Sequence, residues 1–312
     1  MITMSCENIR KAESYSEGVL RMLRDAMETL SLPPDLTVVV VGSLARREAS
    51  EQSDVDYFVI QKKGSGRDVL KEVGLVIESL GLKAPSPTGA FAQAVKHSQF
   101  LKKIGGNNES NDDLTRRMLF LLESEWIYGR EMYESTFRDA INLYIREHIT
   151  QHQLARFFLN DLIRYYRTIC VDFEYKTASI GKSWGDRNIK LMFSRKLLYF
   201  SGILAAAETA QSTYEYKRSR LIALLRKTPI QRMTDVCGDE AGRVMIRYDQ
   251  FLGWMSDESR RKLLKETTDD RSSHEDLFRE MKNAGYHFSW CLESMFYKCY
   301  APTHPINQAI LL

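Results

Sequence analysis

Asp54 and Asp56 stand one residue apart in an apolar run, a short way after Gly42-Ser43, in the stretch VVVVGSLARREASEQSDVDYFVI (residues 38–60). Side chains two residues apart on a strand share a face, roughly 7 Å apart along the chain. Two ionised carboxylates so placed repel each other, and burying them unpaired is costly. A divalent cation between them removes both problems. Oxygen-only ligands suit Mg²⁺ or Mn²⁺, with water and substrate phosphates completing the shell. Gly42 and Ser43 supply a second component: a strand ending in Gly-Ser and turning into a helix presents backbone N–H groups that a phosphate can approach closely. The serine hydroxyl can bond the terminal phosphate oxygens. Metal-binding carboxylates beside such a turn are the parts that phosphoryl or nucleotidyl transfer requires.

The elements that must position these groups are legible from periodicity. Apolar residues at helical spacing (Val19, Leu20, Met22, Leu23, Met27, Leu30) predict a helix over residues 8–30, ended before Pro33-Pro34. The β-branched run Leu36–Val41 predicts a buried strand, Leu44–Ala49 one or two helical turns, and Asp54–Ile60 a second strand with Val55, Tyr57 and Val59 on one face. QKKGSGRD reads as a turn, residues 68–81 as an amphipathic helix stopped by Gly81, and AFAQAV (residues 90–95) as a further strand. From about Leu114, beginning with LTRRMLFLLESEWIYG, the pattern turns helical with few strand candidates. The expected fold is α+β: a small mixed-sheet domain with an N-terminal helix over residues 1–135, then an all-helical domain over residues 136–312. The tail APTHPINQAILL reads as a surface segment, and the charged stretch from Asp257 to Glu280 as a solvated face.

Strand, Gly-Ser, ten residues, then Asp-x-Asp within a second apolar strand resembles the DNA polymerase β-like nucleotidyltransferase superfamily, and GSLARREASEQSDVDYFVI matches its motif without gaps. The chain is most similar to the bacterial branch related to the nucleotidyltransferase part of PII-uridylyltransferase and glutamine-synthetase adenylyltransferase. LTRRMLFLLESEWIYG is similar to the segment after the catalytic sheet there. The motif covers about a tenth of the chain, and the looser similarity about the first 135 residues. The resemblance implies a polymerase β-like palm fold. It also implies attack of an acceptor hydroxyl on the α-phosphate of an NTP or dNTP, with release of pyrophosphate. Asp54 and Asp56 would hold Mg²⁺ or Mn²⁺ and catalyse; Gly42 and Ser43 would seat the β- and γ-phosphates. The acceptor is a protein, a nucleic-acid end or another nucleotide, and stand-alone bacterial relatives often act as toxins or in phage-defence signalling. The sequence departs from the superfamily at the third carboxylate: GAFAQAV offers Gln93 and no acid, and Asp112 and Asp113 have a different spacing. A nucleotide-sensing module of the same fold without turnover is therefore the alternative.

Residues 156–196 carry nine Lys/Arg against four acids, a net +5 in a chain of net +3. Arg156, Asn160, Arg164 and Arg167 fall on one polar helix face. Arg187 and Lys190 share a face and are candidates to neutralise the triphosphate. Gly181-Lys182-Ser183 lacks the upstream glycine of a P-loop, and His148/His152 lack the glutamate of a zinc-protease motif. At 44% hydrophobic and 27% charged residues the chain is globular, and near-neutral charge weakens a whole-chain case for nucleic-acid or membrane binding. Five scattered cysteines without CxxC read as reduced thiols. With no signal-like start and no apolar run near the ~20 residues of a membrane span, the expected setting is cytoplasmic, without membrane association.

Overall fold

The computed structural model describes residues 6–64, 66–85, 91, 93–102, 104–105, 109–147, 151–178, 183–270 and 276–311. His148, Gly181, Lys182 and part of the strand expected over residues 90–95 lie outside these. The chain divides into two compact units, one of Ala12–Ile149 with Leu221–Thr228, the other of Met1–Lys11 with Thr150–Arg220 and Pro229–Leu312.

The first unit is built on a four-stranded sheet of order β3-β2-β1-β4. Strands β1 (Leu36–Val41) and β2 (Tyr57–Gln61) are buried along their whole length, which their near-continuous apolar runs require. They pair antiparallel, with Val38 opposite Val59 and Val40 opposite Tyr57. Strand β3 (Ala94–Lys96) runs parallel to β2, and β4 (Ser124–Tyr128) antiparallel to β1. One sheet face, bearing Val38, Val40, Val55, Tyr57 and Val59, meets α1 (Glu7–Glu28) through Val19, Leu20, Leu23 and Met27. It meets α3 (Arg67–Ser79) through Val69, Val73 and Ile77. Helices α5 (Asn111–Leu122) and α6 (Arg130–Tyr144) pack on β1, and the Phe120, Tyr133 and Phe137 rings interlock at 5.2 and 5.6 Å. The short α2 (Gly42–Ala45) and α4 (His97–Phe100) are single turns at the ends of β1 and β3.

Strand β4 corrects the helical reading of LTRRMLFLLESEWIYG: the helix ends at Leu122 and SEWIY joins the sheet. Two long-range contacts decide this. Glu123 is pulled into a buried ion pair with Arg46, and Gly129, at φ +69°, lies so close to β1 that a Cβ there would sit 2.1 Å from the Leu36 carbonyl oxygen. The domain division expected at residue 135 falls inside α6, whose Phe137, Ala140 and Ile141 are buried. The second expected strand, Asp54–Ile60, enters the ladder at Tyr57, with Asp54 making an isolated parallel bridge to Lys83.

The other unit is helical: α7 (Arg156–Ala178), α8 (Trp184–Lys190), a π-helical turn (Leu191–Arg195) running straight into α9 (Lys196–Ala207), α10 (Tyr214–Leu225, entering the first unit at Leu221), α11 (Pro229–Cys237), α12 (Gly242–Ser256), α13 (Glu258–Glu266), α14 (Asp276–Cys299) and α15 (Pro305–Leu311). Its core is aromatic, with Phe193 stacked on Phe251 at 4.8 Å and on Phe288 at 5.1 Å. Asp249 on α12 accepts bonds from Asn8 Nδ2 and Ile9 N (both 2.9 Å), pinning the chain's first helical turn. Within the charged stretch, α13 is capped by Asp257 and buries Leu264. The tail, expected as a surface segment, forms α15 and buries Ile306 and Ala309 against α9. Its two buried apolar side chains, Ile306 and Ala309, were too few to register as periodicity.

His304 Nδ1 accepts the Ile306 N–H (3.2 Å), and burial lowers its pKa below the ordinary histidine value. A histidine favoured neutral in the folded state contributes stability that is complete above its unfolded pKa of about 6.5 and lost as pH falls toward the lowered value. Denaturant unfolding at pH 7.5, 6.5 and 5.5 should therefore show a weakening below pH 6.5 that His304→Gln reduces; identical pH profiles for the two proteins would remove His304 as a cause. Among the described residues no helix is long and apolar enough to cross a membrane.

Candidate active site

The end of β1 and the start of β2 bring the two halves of the motif together. Val41 N donates to the Asp56 carbonyl (2.9 Å), and Gly42 follows at φ +73°. A Cβ at Gly42 would stand 3.2 Å from Asp56 Oδ2. Glycine is required here twice, by its left-handed backbone and by the carboxylate lying against it. Val55, Tyr57 and Val59 are buried in the helix-covered core, and Asp54 and Asp56 alternate with them at the approach to β2. Asp54 is exposed, and its carboxylate has no ion-pair partner among the described residues; Asp56 is half-buried. The half-buried Ser43 hydroxyl has no hydrogen-bond partner among the described residues, while its carbonyl accepts Glu48 N (2.8 Å). Two carboxylates and a hydroxyl are thus presented beside a glycine turn, a hard-oxygen donor set of the kind Mg²⁺ or Mn²⁺ takes.

Two arginines that sequence reasoning passed over hold this turn in place. Arg46 is buried between Glu48 (2.7 Å) and Glu123, the residue between α5 and β4. Arg47, at φ +61°, bonds Glu17 of α1 and Glu125 of β4, both at 2.8 Å. The signal available in the sequence was the run ARRE directly after the turn, which is indistinguishable there from a solvated helix face.

No third acid joins the pair among the described residues. Among the described residues no group of three or more His, Cys, Asp or Glu is placed to hold a metal ion. Gln93, just ahead of β3, accepts the Val59 N–H at its backbone carbonyl (2.9 Å), and its Oε1 accepts from Arg116 Nη2 (2.6 Å). Asp113 is engaged in the capping box of α5 with Ser110, and Asp112 lies 3.4 Å from Arg116.

Arg187 and Lys190 lie in the other unit, on α8. Lys190 pairs with Asp186 (2.7 Å), and both are half-buried. Burial lowers the pKa of Arg187 and of Lys190, with the like charge of Arg195 adding to the effect on both and Arg261 on Lys190. The buried Nε of Arg261 has no hydrogen-bond partner. Four cations therefore act on one locality, opposed by Asp186 and Asp172.

The α+β sheet with its Gly-Ser turn and Asp-x-Asp pair defines a nucleotidyltransferase domain. Residues 20–156 match the family model for the nucleotidyltransferase domain, consistent with the polymerase β-like superfamily. The protein is a transferase with a nucleotidyl-transfer domain. Comparison with curated proteins finds no match.

Proposed function

We propose that the protein moves a nucleoside monophosphate from an NTP or dNTP to an acceptor hydroxyl. The acceptor oxygen forms a bond to the α-phosphorus, the bond to the bridging oxygen breaks, pyrophosphate leaves, and the hydroxyl proton passes to solvent. The observation that carries this reading is the contact of the Asp56 carboxylate with Gly42, which puts the acid and the phosphate turn in one place. Asp54 and Asp56 would hold Mg²⁺ or Mn²⁺. That ion, when bound, neutralises developing charge and orients the phosphates. The Gly42 turn offers backbone N–H groups to the β- and γ-phosphates, and Ser43 offers its hydroxyl. Arg187 and Lys190, in a locality with more cation than acid, are proposed to neutralise the triphosphate. Toxin or phage-defence signalling is the setting the resemblance suggests.

The test is thermal unfolding with Mg²⁺, with each NTP, and with both, alongside pyrophosphate release. Without metal the carboxylates repel the triphosphate, so the two together should raise the melting temperature beyond the sum of their separate shifts. Replacing Arg187 and Lys190 with Ala should shrink that joint shift to a similar degree for every base, because phosphates are common to all. Equal stabilisation by NTP with and without metal, and no pyrophosphate with any acceptor, would overturn the reading in favour of a sensor.

A further inference from the structure

A face of α7 rich in arginine lies apart from the residues assigned above. Helix α7 turns Arg156, Phe157, Arg164, Arg167, Val171 and Tyr175 to solvent. At 3.6 residues per turn these six fall within roughly 100° of arc, spread over roughly 28 Å of helix. Phe157, Val171 and Tyr175 are 52%, 70% and 60% exposed, far more than apolar side chains of a settled core. Arg156 and Arg167 make no ion pair among the described residues. Arg164 is oriented by the buried Asp161 (2.7 Å) while its own side chain stays 47% exposed. Of the other acids of α7, Asp172 holds Lys176 (2.8 Å), while exposed Glu174 lies on the same arc, so the face carries three guanidiniums against one exposed carboxylate.

We infer that this face of α7 is a docking surface for single-stranded nucleic acid. Three guanidiniums along one line match a chain of phosphates, and the exposed Tyr175 ring toward one end of the line offers a flat face on which an unpaired base stacks. A lipid surface would call for a contiguous apolar wedge, whereas here Phe157 is separated from Val171 and Tyr175 by arginines. An acidic polypeptide would use the charges and leave the ring without a role. The inference does not rest on the transferase reading, because binding needs neither Asp54 nor Asp56.

The experiment is fluorescence anisotropy of the full chain with labelled 12-nucleotide oligouridylate and oligothymidylate, between 50 and 200 mM salt. Arg156→Gln/Arg167→Gln should weaken binding at least tenfold and flatten the slope of log affinity against log salt by about 1.4, the value for two phosphate contacts on a single strand. Tyr175→Ala should weaken binding about tenfold with the slope retained, since stacking releases no counterions. Asp54→Asn/Asp56→Asn should bind as the parent does, which keeps this test separate from catalysis. All the α7 residues changed are exposed, so melting curves should stay within a degree or two of the parent. No binding at 50 mM salt, or variants that bind like the parent, would overturn the inference. So would equal binding to polyglutamate or to phosphatidylserine vesicles.

Discussion

Asp54→Asn/Asp56→Asn is expected to lose nucleotidyl transfer by about a thousandfold or more while folding normally. The size follows from the role: a bound metal contributes several kcal/mol of charge stabilisation in the transition state, and each 1.36 kcal/mol is tenfold in rate. The normal folding follows from the surroundings. Asp54 is exposed without an ion-pair partner among the described residues, and the amide keeps the size of the carboxylate at half-buried Asp56. Exposed substitutions of this kind usually change stability by about 0.5 kcal/mol or less. Pyrophosphate release under saturating Mg²⁺ and NTP is the measurement, with a melting curve beside it. Undiminished turnover in the double variant would take catalysis away from this pair. A collapsed melting curve would instead show that Asp56 is structural, through its contact with Gly42.

Arg46→Ala should be the most damaging single change to stability in the nucleotidyltransferase domain. Its guanidinium lies between Glu48 and Glu123, all three side chains at 5% exposure or less. Removing the cation leaves two carboxylates facing each other away from water, and breaking a buried pair in this way costs about 3–5 kcal/mol. Against a total stability of about 5–15 kcal/mol that is a large part of the fold. The loss should appear as a lower denaturant midpoint. Replacing Arg46, Glu48 and Glu123 together by apolar residues of similar volume should recover most of it, because the desolvation of all three charges then disappears. A full-strength midpoint in Arg46→Ala would mean the carboxylates are satisfied without it. The same variant reports on function, since Arg46 follows directly on the turn that carries Gly42 and Ser43.

Much of this molecule is written locally. The β-branched run at residues 36–41, the alternation of Val55, Tyr57 and Val59, and the 3.6-residue spacing in α1 and α3 each declare their element, because each buries a face set by its own period. The Gly-Ser turn and Asp-x-Asp pair were legible for a related reason: acids and glycine cut into apolar strands at a local cost that structure alone does not explain. The exposed arginine face of α7 was likewise readable as i, i+4 spacing, and its role as surface agrees with the structure.

What the sequence could not declare is whatever depends on a partner far along the chain. SEWIY is five residues long and carries no period of its own; it becomes β4 because β1 offers a free edge, Gly129 permits a close approach, and Arg46 waits for Glu123. ARRE reads as a solvated turn until Glu123 and Glu125 arrive from about 77 residues away to bury it. The tail is too short to show amphipathicity, and its helix packs on α9, far back along the chain. The sequence by itself therefore determined the strands, the long helices and the chemistry of the turn, because local sterics and periodicity specify these. The tertiary structure alone decided the fourth strand, the buried ion pairs that brace the turn, and the seating of the Asp56 carboxylate against Gly42, because each of these exists only when residues distant in sequence exclude water together.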